Sequence, residues 1–254
     1  MEHGLGRMHV ADDRDWTVER LAEYLAGWHA GETLAQLAAD PLVGWPSMPS
    51  LWRYLKALRA GGAPAPAPAP AAGRVWPDAD ARLNQLRTNH CVGFGWAGWG
   101  NTLPVDDHWR DADGHAIYYA AKVIDGEPLN EDGSTVRSGA KAMRQRGRLA
   151  AYAFTARTDV IDVWLRQHGP VVVGTDWTEA MFSPDGAGRI APAGAVAGGH
   201  CYVIEGDQGE DYVVLNSWGS SWGKDGRAVI AKAAFATLLA GLQSPGEACL
   251  AAEL

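Results

Sequence analysis

The chain has 254 residues, a formal net charge of −8 and 47% hydrophobic residues. That length holds one large domain, or a medium domain with a small one, and the apolar share supports a packed core. The negative balance argues against a broad nucleic-acid surface, and no stretch approaches the roughly 18 apolar residues of a membrane span. The opening "MEHGLGRMHVADDRDW" lacks an apolar core of signal-peptide length, so classical secretion is not expected. The three cysteines, Cys91, Cys201 and Cys249, are odd in number and far apart, which is no disulfide framework. A reducing, cytoplasmic location fits that usage, with a virion-associated one as the alternative.

In chain order, a small all-helical module comes first. Val18, Leu21, Leu25 and Trp28 recur at helical spacing, with Gly31 as a stop. "TLAQLAAD" from Thr33 reads as a second short helix, and "SLWRYLKALRA" from Ser50 as a third, with Arg53, Lys56 and Arg59 on it. Short helix, turn and basic helix resembles the helix-turn-helix modules of phage and mobile-element proteins. Residues 1–60 nevertheless hold six Lys/Arg against eight Asp/Glu. A DNA partner, a protein partner and a propeptide-like inhibitory role all stay open for this module. "GGAPAPAPAPAAG", residues 61–73, follows. Alternating Ala and Pro cannot form a helix interior and favours polyproline II, a stiff spacer of roughly 30–40 Å.

Residues 74–254 read as one α+β block. Helical patterns come first: the stretch after Cys91, "HAIYYAAKVID" and "TVRSGAKAMRQRG". The β-branched runs "GPVVVGTDW", "HCYVIEGD" and "DYVVLNSW" follow as strands.

A thiol nucleophile needs a base, a group that orients the base, and donors for an oxyanion. Cys91 stands where the turn-like "RTNH" gives way to a helix, with Asn89 as the expected cap, and a helix start lowers a thiol's pKa. Gln85 lies six residues upstream as an amide donor. His200 opens a strand after Gly198 and Gly199, and Asn216 ends another strand before a Gly-rich turn. An Asn side-chain oxygen can accept an imidazole N–H and fix its tautomer.

With these residues placed, the chain resembles the papain family of cysteine peptidases. "NSWGSSWGKDG" is similar to the family's Asn-Ser-Trp-Gly-x-x-Trp-Gly-x-x-Gly signature, and covers Asn216, Trp218, Trp222 and Gly226. "GGHCYVI" stands with His200 sixteen residues before Asn216, and "QLRTNHC" repeats the family's Gln, five residues, then Cys. The resemblance implies a two-lobed domain, a helical lobe plus an antiparallel β-barrel-like lobe. It implies Cys91 as nucleophile, His200 as base and later acid, and Asn216 as orienter. Gln85 and the Cys91 N–H would form the oxyanion hole, with Trp218 shielding the His–Asn bond. It implies hydrolysis of peptide amides through a thioester acyl-enzyme, a peptide or protein substrate and no cofactor. Gly133 and Ser134 would pair with the substrate backbone, and Gly199 would leave the pocket wall uncrowded.

The sequence departs from the family in places. Val92 stands where the family mostly has Trp, and Thr88 replaces an extra cysteine. His200 and Asn216 follow Cys91 by 109 and 125 positions, fewer than the usual 130–150 or so. A second alignment would set "GWA" in the nucleophile motif, with Gly95 in the cysteine's place, and make the protein catalytically silent. Against it, the residue six before Gly95 is Asn89, not Gln. The His90–Cys91 and His200–Cys201 pairs suggest zinc at first sight. Adjacent strand residues face opposite sides, however, and the spacings fit no structural zinc pattern, so no metal is expected.

Overall fold

Helix α1, Cys91–Asn101, is buried along its whole length. Its sequence, CVGFGWAGWGN, opposes a helix: four glycines cost about 1 kcal/mol each against alanine. Burial wins. Val92, Phe94, Trp96 and Trp99 are all at most 1% exposed, and each such side chain contributes roughly 1.5–3 kcal/mol. The structure, a computed structural model, describes residues 3–8, 73–78 and 82–253.

After α1 come α2 (Asp111–Asp125), α3 (Val136–Gln145), β1 (Leu149–Thr155), α4 (Thr158–Gln167) and β2 (Val171–Thr178). A 3-10 turn (Glu179–Phe182), β3 (Arg189–Ile190), β4 (Val196–Gln208), β5 (Asp211–Leu215), β6 (Arg227–Ala231), α5 (Lys232–Ala240) and β7 (Glu247–Glu253) complete the order. The strands form one sheet in the order β1-β7-β2-β4-β5-β6-β3, antiparallel except for β3 with β6. The barrel-like closure expected from the resemblance is not present among the described residues: their sheet is open, with β1 and β3 as its edges.

The central strands are buried on both faces, and period-2 alternation sorts their side chains. Val171, Val173, Tyr202, Ile204 and Leu250 join one core with Trp164 of α4 and Phe235 of α5. Val172, Cys201, Val203, Cys249 and Ala251 join the other with α1 and α3. Cys201 and Cys249 are thus small buried core residues with free thiols.

Residues 73–78 run along β4: the Trp76 N–H donates to Glu205 O at 2.8 Å and the Asp207 N–H to Arg74 O at 2.9 Å. Asp78 pairs with both Arg82 and Arg227, and Arg227 with Glu205, tying this segment to the sheet. The helices expected between Val18 and Arg59 and the Ala/Pro linker up to residue 72 lie outside the described residues.

Glycine is required at position 95. A Cβ there would sit 2.6 Å from Cys201 Sγ, inside a packed core. We expect Gly95→Ala to lower stability: overpacking costs about 1–3 kcal/mol and outweighs the helix-propensity gain of about 1. In a Cys201→Ala background, where the sulfur is gone, the same change should raise stability. Urea melts of the four proteins check this, and equal effects in both backgrounds would refute the contact.

Candidate active site

The helix begins at Cys91 itself, and the cap position is His90, not Asn89, with no side-chain cap bond. Cys91 therefore sits in the first turn, where backbone N–H groups lack intrahelical partners and carry partial positive charge. His90 is held by its ring, stacked on Tyr118 at 3.9 Å with its Nδ1 2.7 Å from His115 Nδ1.

His200 lies within β4, four residues after its start at Val196, paired with Thr175 of β2. Its Nε2 lies 2.9 Å from Asn216 Oδ1, which also accepts the Ser217 N–H at 2.8 Å. Because that oxygen can only accept, His200 carries its proton on Nε2, and Nδ1 keeps a free lone pair. Nδ1 is buried without a hydrogen-bond partner. The imidazole is stacked on Trp218 at 4.7 Å and met edge-on by Trp177 at 4.8 Å. These rings leave no solvent path to the His–Asn bond, since His200, Trp177 and Trp218 are all at most 1% exposed.

Gln85 is buried beside them. Its Oε1 accepts the Ser217 hydroxyl at 2.6 Å, and its Nε2 donates to Thr88 O at 2.7 Å and Gly4 O at 3.0 Å. The structure brings Cys91 to the same strand: its sulfur is influenced by the backbone N–H groups of Cys201, the residue after His200, and of Gly6.

Residues 3–8 lie across this site, with one isolated bridge at Arg7. Gly6 and Arg7 N–H both donate to Gly199 O, at 3.1 and 3.0 Å. The Met8 N–H donates to Ser134 O at 2.7 Å and the Ser134 N–H to Gly6 O at 2.8 Å, a parallel bridge centred on Arg7. Gly133 stands beside Met8 with φ +89°. His3 stacks on Trp218 at 4.3 Å. All eight residues singled out in the sequence are thus gathered around one segment of the chain. Trp177, Arg7 and Glu247, whose contact with Arg7 is described below, were not among them. The one available signal was the aromatic end of the "GPVVVGTDW" strand.

Under this cover the Cys91 thiol and the His200 imidazole are each held neutral. Burial pushes the Cys91 thiol up to about 12 and the His200 imidazole down to about 4, the latter against the favourable bond to Asn216.

The comparisons agree with this architecture. Xylellain, a cysteine protease from Xylella fastidiosa, superposes with a TM-score of 0.63 at 14% identity, over 99% of this chain and 97% of its own. The fold is that of the papain-like cysteine proteases. Procathepsin L2 from the Tenebrio molitor larval midgut gives a TM-score of 0.49 at 17% identity, over 77% of this chain and 72% of that one. A cathepsin B-like cysteine proteinase 6 of Caenorhabditis elegans is 32% identical over 81 residues, 30% of this chain. The chain spans only about a fifth of that relative's length, 21%. No protein-family model matches. No helix among the described residues is long and apolar enough to cross a membrane.

In this papain-like fold a buried neutral histidine makes stability depend on pH. The folded pKa of about 4 lies below the ordinary 6.5, so the unfolded chain binds the proton more readily. Stability is full above pH 6.5 and falls as pH drops to 4, by about 3 kcal/mol for this group. Glu205, pushed up to about 6 by burial, acts oppositely, and cancels in a difference between two proteins. Urea melts at pH 7 and pH 4 should therefore show a smaller acid loss in His200→Gln than in the wild type. Equal losses would contradict a neutral buried His200.

Proposed function

We propose that this chain is a cysteine peptidase that cleaves peptide amides through a thioester acyl-enzyme. The observation that carries the reading is the 2.9 Å His200–Asn216 bond, roofed by Trp177 and Trp218. It leaves Nδ1 as the base, on the residue next to Cys201, whose backbone reaches the Cys91 sulfur. Nδ1 takes the thiol proton as sulfur attacks the carbonyl carbon. The resulting oxyanion faces Gln85 Nε2 and the first-turn N–H of Cys91. Collapse of the adduct breaks the C–N bond, and Nδ1–H passes its proton to the leaving amine. Water, deprotonated by the same nitrogen, then hydrolyses the thioester. Asn216 holds the Nε2–H tautomer throughout, and no step calls on a cofactor.

The segment 3–8 bears on the role of the N-terminal module. Gln85 Nε2 already donates to the Gly4 carbonyl, and Gly6 turns an N–H, not a carbonyl carbon, toward the sulfur. These contacts support the inhibitory, propeptide-like role over docking on DNA or another protein. In this covered form both reactive groups are neutral, so departure of the segment is part of activation.

A fluorogenic peptide assay with a thiol-directed epoxide tests the reading. Cys91→Ala should abolish turnover, and Gln85→Ala should lower kcat by about 10²–10³-fold, the range for one oxyanion donor. Asn216→Ala should lower it by about 10²-fold or more, the range for a misplaced general base. If Cys91 is labelled no faster than a free thiol, even after Arg7→Ala loosens the segment, the chain is a catalytically silent papain-fold protein instead.

A further inference from the structure

The helix that opens with Cys91 has His90 at its cap, and that side chain bonds no N–H of the first turn. A capping side chain ordinarily holds this end of a helix. Here the His90 ring holds it by other contacts. It lies on Tyr118 of α2 at 3.9 Å with an interplanar angle of 14°, and is met edge-on by His115 at 4.9 Å and Tyr119 at 5.2 Å. The 2.7 Å contact between His90 Nδ1 and His115 Nδ1 keeps the ring from turning. Beside it the two helices touch backbone to backbone: a Cβ on Gly93 would stand 2.1 Å from Gly114 O and 2.5 Å from the Tyr118 nitrogen. Tyr118 is 1% exposed, and its hydroxyl donates in another direction, to Gly133 O at 3.2 Å, with Glu131 O at 3.4 Å. Carbonyls only accept, and burial pushes the phenol up to about 12, so the hydroxyl stays a donor. Gly133 leads directly into Ser134, whose N–H and C=O pair with the backbone of Gly6 and Met8.

We infer that Tyr118 and His90 are positioning residues that join the peptide-pairing loop at Gly133 and Ser134 to the start of the Cys91 helix, so that the loop sets where the sulfur stands. The inference rests on the peptidase reading above and deepens it. One ring serves two places: its face holds the residue before the nucleophile, and its hydroxyl holds the residue before Ser134. The loop also has a fastening that does not pass through His90, since Ser134 Oγ donates to Asp125 Oδ2 at 3.0 Å. Tyr118 is the contact that reaches both sides. Small shifts matter here, because misplacing a reacting group by about 1 Å can cost about 10²-fold in rate.

The test uses the full chain carrying Arg7→Ala, which loosens the covering segment. Quenched-fluorescent casein is the substrate, and alkylation by iodoacetamide probes the sulfur without turnover. Tyr118→Phe keeps the ring stack and removes only the hydroxyl. It should lower kcat, raise KM and slow alkylation, each by about three- to tenfold, the range for one net hydrogen bond. His90→Ala should lower kcat and slow alkylation while KM holds. His90→Phe, which puts a ring back over Tyr118, should restore most of both. In the His90→Ala background Tyr118→Phe should still raise KM but lower kcat no further, because the connection is already cut. Tyr118→Phe raising KM alone or changing neither constant, additive kcat losses in the double variant, or His90→Phe no better than His90→Ala overturns the inference. Alkylation slowed in Tyr118→Phe and in His90→Ala, with no casein cleaved by any of the proteins, sustains the connection and refutes the peptidase reading. Cleavage with kcat and alkylation unmoved by both changes does the reverse.

Discussion

The site depends on how closely α1 can approach β4, and Gly95 sets that distance against Cys201. Residues i and i+4 share one face of a helix. Cys91 therefore lies one turn before Gly95 on the face that meets the strand, and its sulfur comes within influence of the Cys201 backbone. The residue before Cys201 is His200. One missing methyl group thus lets the helix start carrying the thiol lie against the strand that carries the imidazole. The glycine that looked like a vacant nucleophile position is instead the close contact between the helix that opens with Cys91 and the strand that carries His200.

Electrostatics then decides the state of the pair. Each charge alone is too costly at full burial, which is why the thiol is held up and the imidazole down. A thiolate and an imidazolium together are a different case, because their attraction offsets part of both desolvation penalties. The tryptophan roof keeps the His200–Asn216 bond dry, so the tautomer is fixed before any charge forms. Anything that admits water or a polar substrate near Cys91 shifts the balance from the neutral to the charged pair. The buried first turn of α1 supplies positive potential for the thiolate at that moment.

Much of this was legible in the sequence because catalytic chemistry fixes residue types at fixed spacings. Cys91, His200, Asn216 and Gln85 were singled out because their order and intervals resemble those of the papain family, and Trp218 because of the motif around it. The edge of the sheet was not legible. β1, LAAYAFT, and β7, EACLAAE, are alanine-rich, with little strand propensity. They are strands because they pair with each other, and because β7 also pairs with β2 and is buried on both faces. Glu247 was invisible for the same reason: its pairing with Arg7 follows from lying opposite Gly174, a cross-strand register that no local pattern encodes. Trp177 faces His200 through the β2–β4 pairing, again a long-range fact. Asn89 was misplaced as the helix cap because the helix starts one residue later than its side chain could serve, with His90 taking that position through ring contacts.

The covering segment raises a question of balance. Being part of the same chain, it faces the site at a high effective concentration, and a free peptide must compete with that. If every contact of the segment were strong, no substrate would enter. Its backbone bonds to Ser134 and Gly199 are ones that any extended peptide can replace. The Arg7–Glu247 pair is its one buried ion pair among the described residues, and buried ion pairs contribute little net stability, because desolvation offsets most of their attraction. Removing one partner is nevertheless costly, since the other is left buried and unpaired. The pair therefore adds little net hold, yet fixes which side chain of the segment must leave together with its partner contact. Departure of the segment therefore leaves the Glu247 carboxylate without this cation, a cost that holds the segment in place more than the pair itself does.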